Sequence, residues 1–205
     1  MIATGRSIDK KLEVLEQFFA SATHDASAAM CRWTDGLITL TFNEVREIPL
    51  EDAFTELDLQ DQPLTMVVLT LDGEVGVRMI LVFDNDDARQ LAASLLGRSV
   101  GVTPEWSAME QSALVETGNI LGCAYMNALV RLIDAELVPS PPYFLQDYAA
   151  SVLQQALLDP AMIADKVLIC QTGFRRGGQH LDWRVVFIPT EGMRKAMEEA
   201  VSKSS

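Results

Sequence analysis

The same order of segments occurs twice along this chain, and that repetition constrains its fold more than any other feature. From Lys10 to Arg32 apolar residues recur at helical spacing, with Leu12, Leu15, Phe18, Phe19 and Ala22 on one stripe. A second long helical pattern runs from about Pro104 to Leu132, opened by Thr103 as cap and Pro104 at the first helical position. The two patterns lie about 99 positions apart, Glu13 falling opposite Ser112. Each is followed by a strand, a variable stretch, a hairpin and a shorter helix, so a duplicated unit is the economical explanation.

In the first half, Gly36 to Phe42 alternates as a strand does, and Leu64 to Leu71 with Val75 to Phe83 reads as a tight hairpin turning at Asp72-Gly73. Asp84 to Asp87 supplies a cap and dipole-matching acids for a helix that runs to Leu96 and ends at Gly97. In the second half, a strand is predicted at Ile133 to Val138, a corner at Pro139 to Pro142, and a helix from about Tyr148 to Leu157. Lys166 to Thr172 and Leu181 to Ile188 form a hairpin with Gly177-Gly178 at its tip, and Glu191 to Val201 is the closing helix.

Hairpin-joined strands predict an α+β fold, a largely antiparallel β-sheet covered by helices, with pseudo-twofold duplicated halves (about 8–98 and 104–202) each led by a long helix. No Pro/Gly-rich linker divides them, so one domain over 1–205 is expected. With 49% apolar and 22% charged residues, the chain is apolar enough to build its own core.

A net charge of -13 argues against a nucleic-acid partner, which needs clustered Lys and Arg to displace counterions. Cys31, Cys123 and Cys170 are widely spaced, and with only His24 and His180 beside them they suggest three reduced, mostly buried thiols rather than a metal site or disulfide framework. The opening Met-Ile-Ala-Thr-Gly-Arg-Ser has no apolar leader, and runs such as Met79 to Phe83 are too short to span a bilayer. A cytoplasmic location is therefore expected. Arg175-Arg176 beside Gly177-Gly178 matches no phosphate-loop spacing and reads as a solvated hairpin tip.

The chemistry concentrates on the second long helix. At about 100° per residue, Ser112, Glu116, Asn119, Cys123 and Asn127 share a sector roughly 80° wide, while Leu114, Leu121, Tyr125 and Leu132 fall opposite. The apolar side should face the core and leave the Ser/Glu/Asn side outward. Any amphipathic helix has a polar face, so spacing alone does not make this one a site. Gly118, however, sits mid-helix at a cost of about 1 kcal/mol relative to alanine, and Gly118 with Gly122 implies either close approach of another element inside the fold or a partner that must come near Asn119.

In these residues the chain resembles the CheC, CheX and FliY phosphatases of chemotaxis. Their signature of Asp or Ser, three residues, Glu, two residues, Asn, twenty-two residues and Pro is met by Ser112, Glu116, Asn119 and Pro142. The resemblance implies a hydrolase acting on the aspartyl phosphate of a phosphorylated response-regulator receiver domain (CheY-like), in chemotaxis or two-component signalling. CheC-type members carry two such sites, one per half. Stepping back 99 positions lands on Glu13, Gln17 and Ala20, so the first site has lost its signature, and His24 on the same face reads as a surface residue.

The resemblance further implies that the receiver brings its own Mg²⁺ and Lys, the phosphatase needing no cofactor of its own. Asn119 would orient the attacking water, a task suited to a neutral group that both donates and accepts. Glu116 would pair with the receiver's Lys. Ser112 and Pro142 would be supporting members. The competing expectation is a non-catalytic docking module that binds a receiver domain or a CheD-like deamidase.

Overall fold

The computed structural model describes residues 3–49, 63–73, 75–101, 105–148, 166–176 and 179–203, with isolated positions at 52, 103 and 151. Its elements in chain order are α1 (Ala3–Trp33), β1 (Ile38–Pro49), β2 (Leu64–Asp72), β3 (Val77–Phe83), α2 (Asn85–Leu95), α3 (Ala108–Ile133), β4 (Val138–Pro139), β5 (Tyr143–Asp147), β6 (Lys166–Arg176), β7 (Gln179–Pro189) and α4 (Glu191–Lys203). The fold is α+β, and among the described residues the strands form one seven-stranded sheet.

The sheet runs β1-β6-β7-β3-β2-β4, and β5 also pairs with β2. Every pairing is antiparallel. Two hairpins, β2–β3 and β6–β7, meet at the β3–β7 seam. Outside them the flanking strands are exchanged: β1 of the first half lies on β6 of the second, and β5 of the second lies on β2 of the first.

Strand sequences explain the layering. Period-2 alternation sends Val67, Leu69, Met79, Leu81, Val185 and Phe187 to one face, where they join apolar residues of all four described helices. Their neighbours Met66, Val68, Ile80, Val82, Val186 and Ile188 form a second buried cluster on the other face. Both faces of the central strands are thus buried, which is why these segments read as nearly continuous apolar runs.

Several boundaries differ from expectation. The second long helix starts at Ala108, not Pro104, because Ser107 caps it: Ser107 Oγ accepts from Glu110 N at 3.3 Å, and the Glu110 carboxylate accepts from Ser107 N at 2.9 Å. This reciprocal capping box outcompetes the Thr-Pro pair upstream. The helix continues through Ile133 and closes at left-handed Asp134, so the strand expected at 133–138 shrinks to Val138–Pro139.

Strand β5 went unpredicted. The hairpin after Asp72 is wider than a two-residue turn, since Leu71 pairs with Val77. Tyr148 is not helical, and the rest of the helix expected there lies outside the described residues except for Ser151, as does the tip Gly177-Gly178. Helix α2 follows its predicted signals closely: Asp84 Oδ1 accepts from Asp86 N at 2.9 Å, and Gly97 adopts φ +63° just past the end.

Candidate functional site

Helices α1 and α3 pack side by side on the sheet. Buried Tyr125 ties them together: its hydroxyl shares a hydrogen bond of 2.8 Å with Thr23 Oγ1 of α1 and lies 3.8 Å from Cys170 Sγ of β6. Burial raises the Tyr125 phenol well above its usual range and pushes the Cys170 thiol up to about 11, so neither ionises near neutral pH. Of the three free thiols only Cys170 is fully buried, Cys31 and Cys123 being half-buried. At the surface, Arg131 donates to Asp25 at 2.7 Å and closes the pair again.

The α3 glycines face inward. A Cβ on Gly118 would sit 2.5 Å from Val67 Cγ1, and one on Gly122 would overlap Leu69 Cδ1. Both glycines therefore let the helix lie directly on β2, so their cost in helix propensity is accounted for by packing inside the fold.

The opposite face of α3 is open. Ser112, Glu116 and Asn119 are exposed, while Leu114, Leu121 and Tyr125 are buried. Pro142 is half-buried in the short turn between β4 and β5. That turn has few backbone donors, and Ser140 anchors it: its N donates to Thr70 O at 2.8 Å and its Oγ accepts from Thr70 N at 2.9 Å. On α1, Glu13, Gln17 and His24 are exposed and Ala20 is half-buried.

Asn119 also lines a surface groove of about 480 Å³ running between the two helices, with Cys123 and Asn127 from its own helix and Asp25 and Arg32 from α1. Sequence reasoning missed the α1 side of this groove. The available signal was the repeat itself, since Arg32 and Arg131 stand at equivalent places 99 positions apart. Among the described residues no cluster of His, Cys, Asp and Glu has the makings of a metal site, and no helix is long and apolar enough to cross a membrane.

No family model matches the sequence. Among curated proteins, CheY-P phosphatase CheC of Bacillus subtilis (strain 168) is 20% identical over 171 residues, which make up 80% of this chain and 79% of that protein. The fold matches FliY of Thermotoga maritima with a TM-score of 0.74 at 17% identity, covering 95% of this chain and 97% of that one. In sequence and in fold the chain is similar to members of the CheC, CheX and FliY family.

Two further structures mark the breadth of this fold. CheX from Borrelia burgdorferi, in a CheX-CheY-BeF3-Mg²⁺ complex, matches with a TM-score of 0.53 at 18% identity, covering 83% of this chain and 96% of that one. In a FliG-FliM complex from H. pylori the match has a TM-score of 0.67 at 10% identity, covering 92% and 97%.

Proposed function

We propose that this CheC-like chain hydrolyses the aspartyl phosphate of a CheY-like receiver domain. The observation that carries the reading is the exposed Glu116/Asn119 pair on α3, at the family's signature spacing from Ser112 and Pro142. The curated relative is a CheY-P phosphatase, and a structural neighbour of the same family is a complex with CheY, BeF3 and Mg²⁺.

In this mechanism the Asn119 carboxamide accepts a hydrogen bond from a water and holds it in line with the phosphorus. The water oxygen forms the new P–O bond as the bond to the aspartyl oxygen breaks. Inorganic phosphate and a free carboxylate result, and the water's proton passes to phosphate or solvent. The substrate brings the Mg²⁺ and Lys that offset charge on the phosphoryl oxygens, so positioning is what remains for the chain to supply. Glu116, three residues before Asn119 and on the same face, pairs with the receiver's Lys and fixes the register. A carboxylate at that place orients a cation without crowding the phosphoryl anion.

The test is the decay of a phosphorylated receiver domain from the same organism, alone, with the wild-type chain and with Asn119→Ala. Acceleration by the wild type that falls about a hundredfold in the variant supports the reading. Unchanged decay across all the organism's receivers sinks it.

A second reading has its own support. The fold is shared with FliM in its complex with FliG, and the first half carries Glu13, Gln17 and Ala20 where a second signature would stand. On that reading the chain docks a receiver or a CheD-like partner without hydrolysing anything, and binding would persist in Asn119→Ala.

A further inference from the structure

Resting on the receiver reading, we propose that Arg32, on the helix of the half whose signature is lost, is a positioning residue that holds the receiver's anionic phosphorylation pocket against Asn119. The groove between α1 and α3 has three charged lining residues, Asp25, Arg32 and Arg131. Arg131 is engaged: its guanidinium donates to Asp25 Oδ2 at 2.7 Å, each neutralising the other. Arg32 is exposed and in no ion pair among the described residues. The groove beside Asn119 therefore carries one arginine in no ion pair among the described residues, its charge only partly offset by the α1 C-terminus, in a chain whose net charge is -13.

That contrast gives the charge its use. An acidic chain repels an acidic partner over most of its surface, and one local cation beside the working side chain selects the orientation in which the partner's anionic pocket faces it. The duplication makes the assignment sharper. Arg32 and Arg131 occupy equivalent places in the two halves, yet Asp25 has Ala124 as its own equivalent, so no carboxylate stands ready on α3 to neutralise Arg32 as Asp25 neutralises Arg131. The arginine in no ion pair among the described residues is the one contributed to the groove from the helix that lacks an asparagine. A planar guanidinium also offers two parallel donors to a phosphoryl or carboxylate group.

The experiment measures binding and turnover separately. Binding is read by titrating a fluorescently labelled receiver from the same organism, with Mg²⁺, in its beryllofluoride-bound and untreated forms. Turnover is read as KM and kcat on the phosphorylated receiver. Arg32→Ala should raise Kd and KM about three- to tenfold at low ionic strength and leave kcat unchanged. Arg32→Glu should do more, Arg32→Lys should recover most of the loss, and the difference should fade at about 0.5 M salt.

A loss confined to the beryllofluoride form assigns the contact to the phosphoryl group, and an equal loss in both forms assigns it to flanking carboxylates; either supports the proposal. Wild-type Kd and KM in Arg32→Ala, with an active parent chain, overturn it while leaving the phosphatase reading intact. A parent chain that neither binds nor dephosphorylates any receiver overturns both. An unchanged unfolding midpoint confirms that this exposed substitution leaves the fold intact.

Discussion

Where α3 carries Gly118, the equivalent position of α1 carries Phe19, and where α3 carries Gly122, α1 carries Thr23. The consequences are opposite. Phe19 is buried with its ring centroid 4.9 Å from that of Phe187 and 6.1 Å from that of Tyr125, so an aromatic spacer fills the gap beneath α1. Beneath α3 there is no spacer, and the helix backbone rests on Val67 and Leu69. The two halves thus share a leading long helix, a hairpin and a closing helix, while their helix-to-sheet contacts differ. The helix with the Glu116/Asn119 face is the one pressed directly against β2, a firm support for the water-orienting role proposed for Asn119.

The largest effect that could break this comparison is catalytic. If α3 alone bears the reaction, Glu116→Ala should slow receiver dephosphorylation by tenfold or more, roughly the loss expected when a partner's register is disturbed. Gln17→Ala, the same truncation at the equivalent place on α1, should stay within about twofold. Comparable losses in single-turnover assays would mean that both faces take part and that the halves remain functionally alike.

Stability offers the next contrast. Phe19→Ala should cost about 3–5 kcal/mol, because it empties the space that the ring fills against Phe187 and Tyr125. Gly118→Ala should cost about 1–3 kcal/mol by overpacking Val67, although alanine is the better helix former by about 1 kcal/mol. Removing volume hurts α1 and adding it hurts α3. Urea unfolding of both variants decides the matter, and a stabilised Gly118→Ala would show that α3 can lift from β2 without penalty.

These contrasts also separate what is legible in the sequence from what is not. The long helices, the two hairpins and the outward face of Ser112, Glu116 and Asn119 follow from periodicity, which is local. Strand β5 escaped because its pairing is not: Tyr143 to Asp147 is short, follows two prolines and finds its partner β2 in the other half. The glycine pair was ambiguous for a related reason, since only the position of Val67 and Leu69 distinguishes internal close packing from access for a partner. Arg32 was passed over because a groove between two helices belongs to neither. Ser107 is different, as its spacing to Glu110 was present in the sequence but outweighed by the neighbouring Thr103-Pro104.

The capping box at Ser107 yields the smallest expected effect and the one that tells the two helices apart by pH. The first turn of α1 has no acidic residue, whereas α3 opens on Glu110, a buried carboxylate hydrogen-bonded by the Ser107 side chain and backbone and facing Arg98 at 3.6 Å. The Ser107 hydrogen bonds come first in holding the Glu110 carboxyl below its ordinary value of 4.5, with smaller help from Arg98 and Arg89 opposing the effect of burial. A carboxyl whose value is lowered by folding stabilises the fold fully above its unfolded value, and that contribution is lost as the pH falls through the folded one. Glu110→Gln should therefore cost about 1 kcal/mol at neutral pH, with the gap to wild type closing on acidification below 4.5. If chemical denaturation at a series of pH values gives a constant gap, the ionised carboxylate is not what fixes the start of α3. A gap that closes, with amide exchange rising at the start of α3 and not along α1, would tie the acid sensitivity to the helix that carries Glu116 and Asn119.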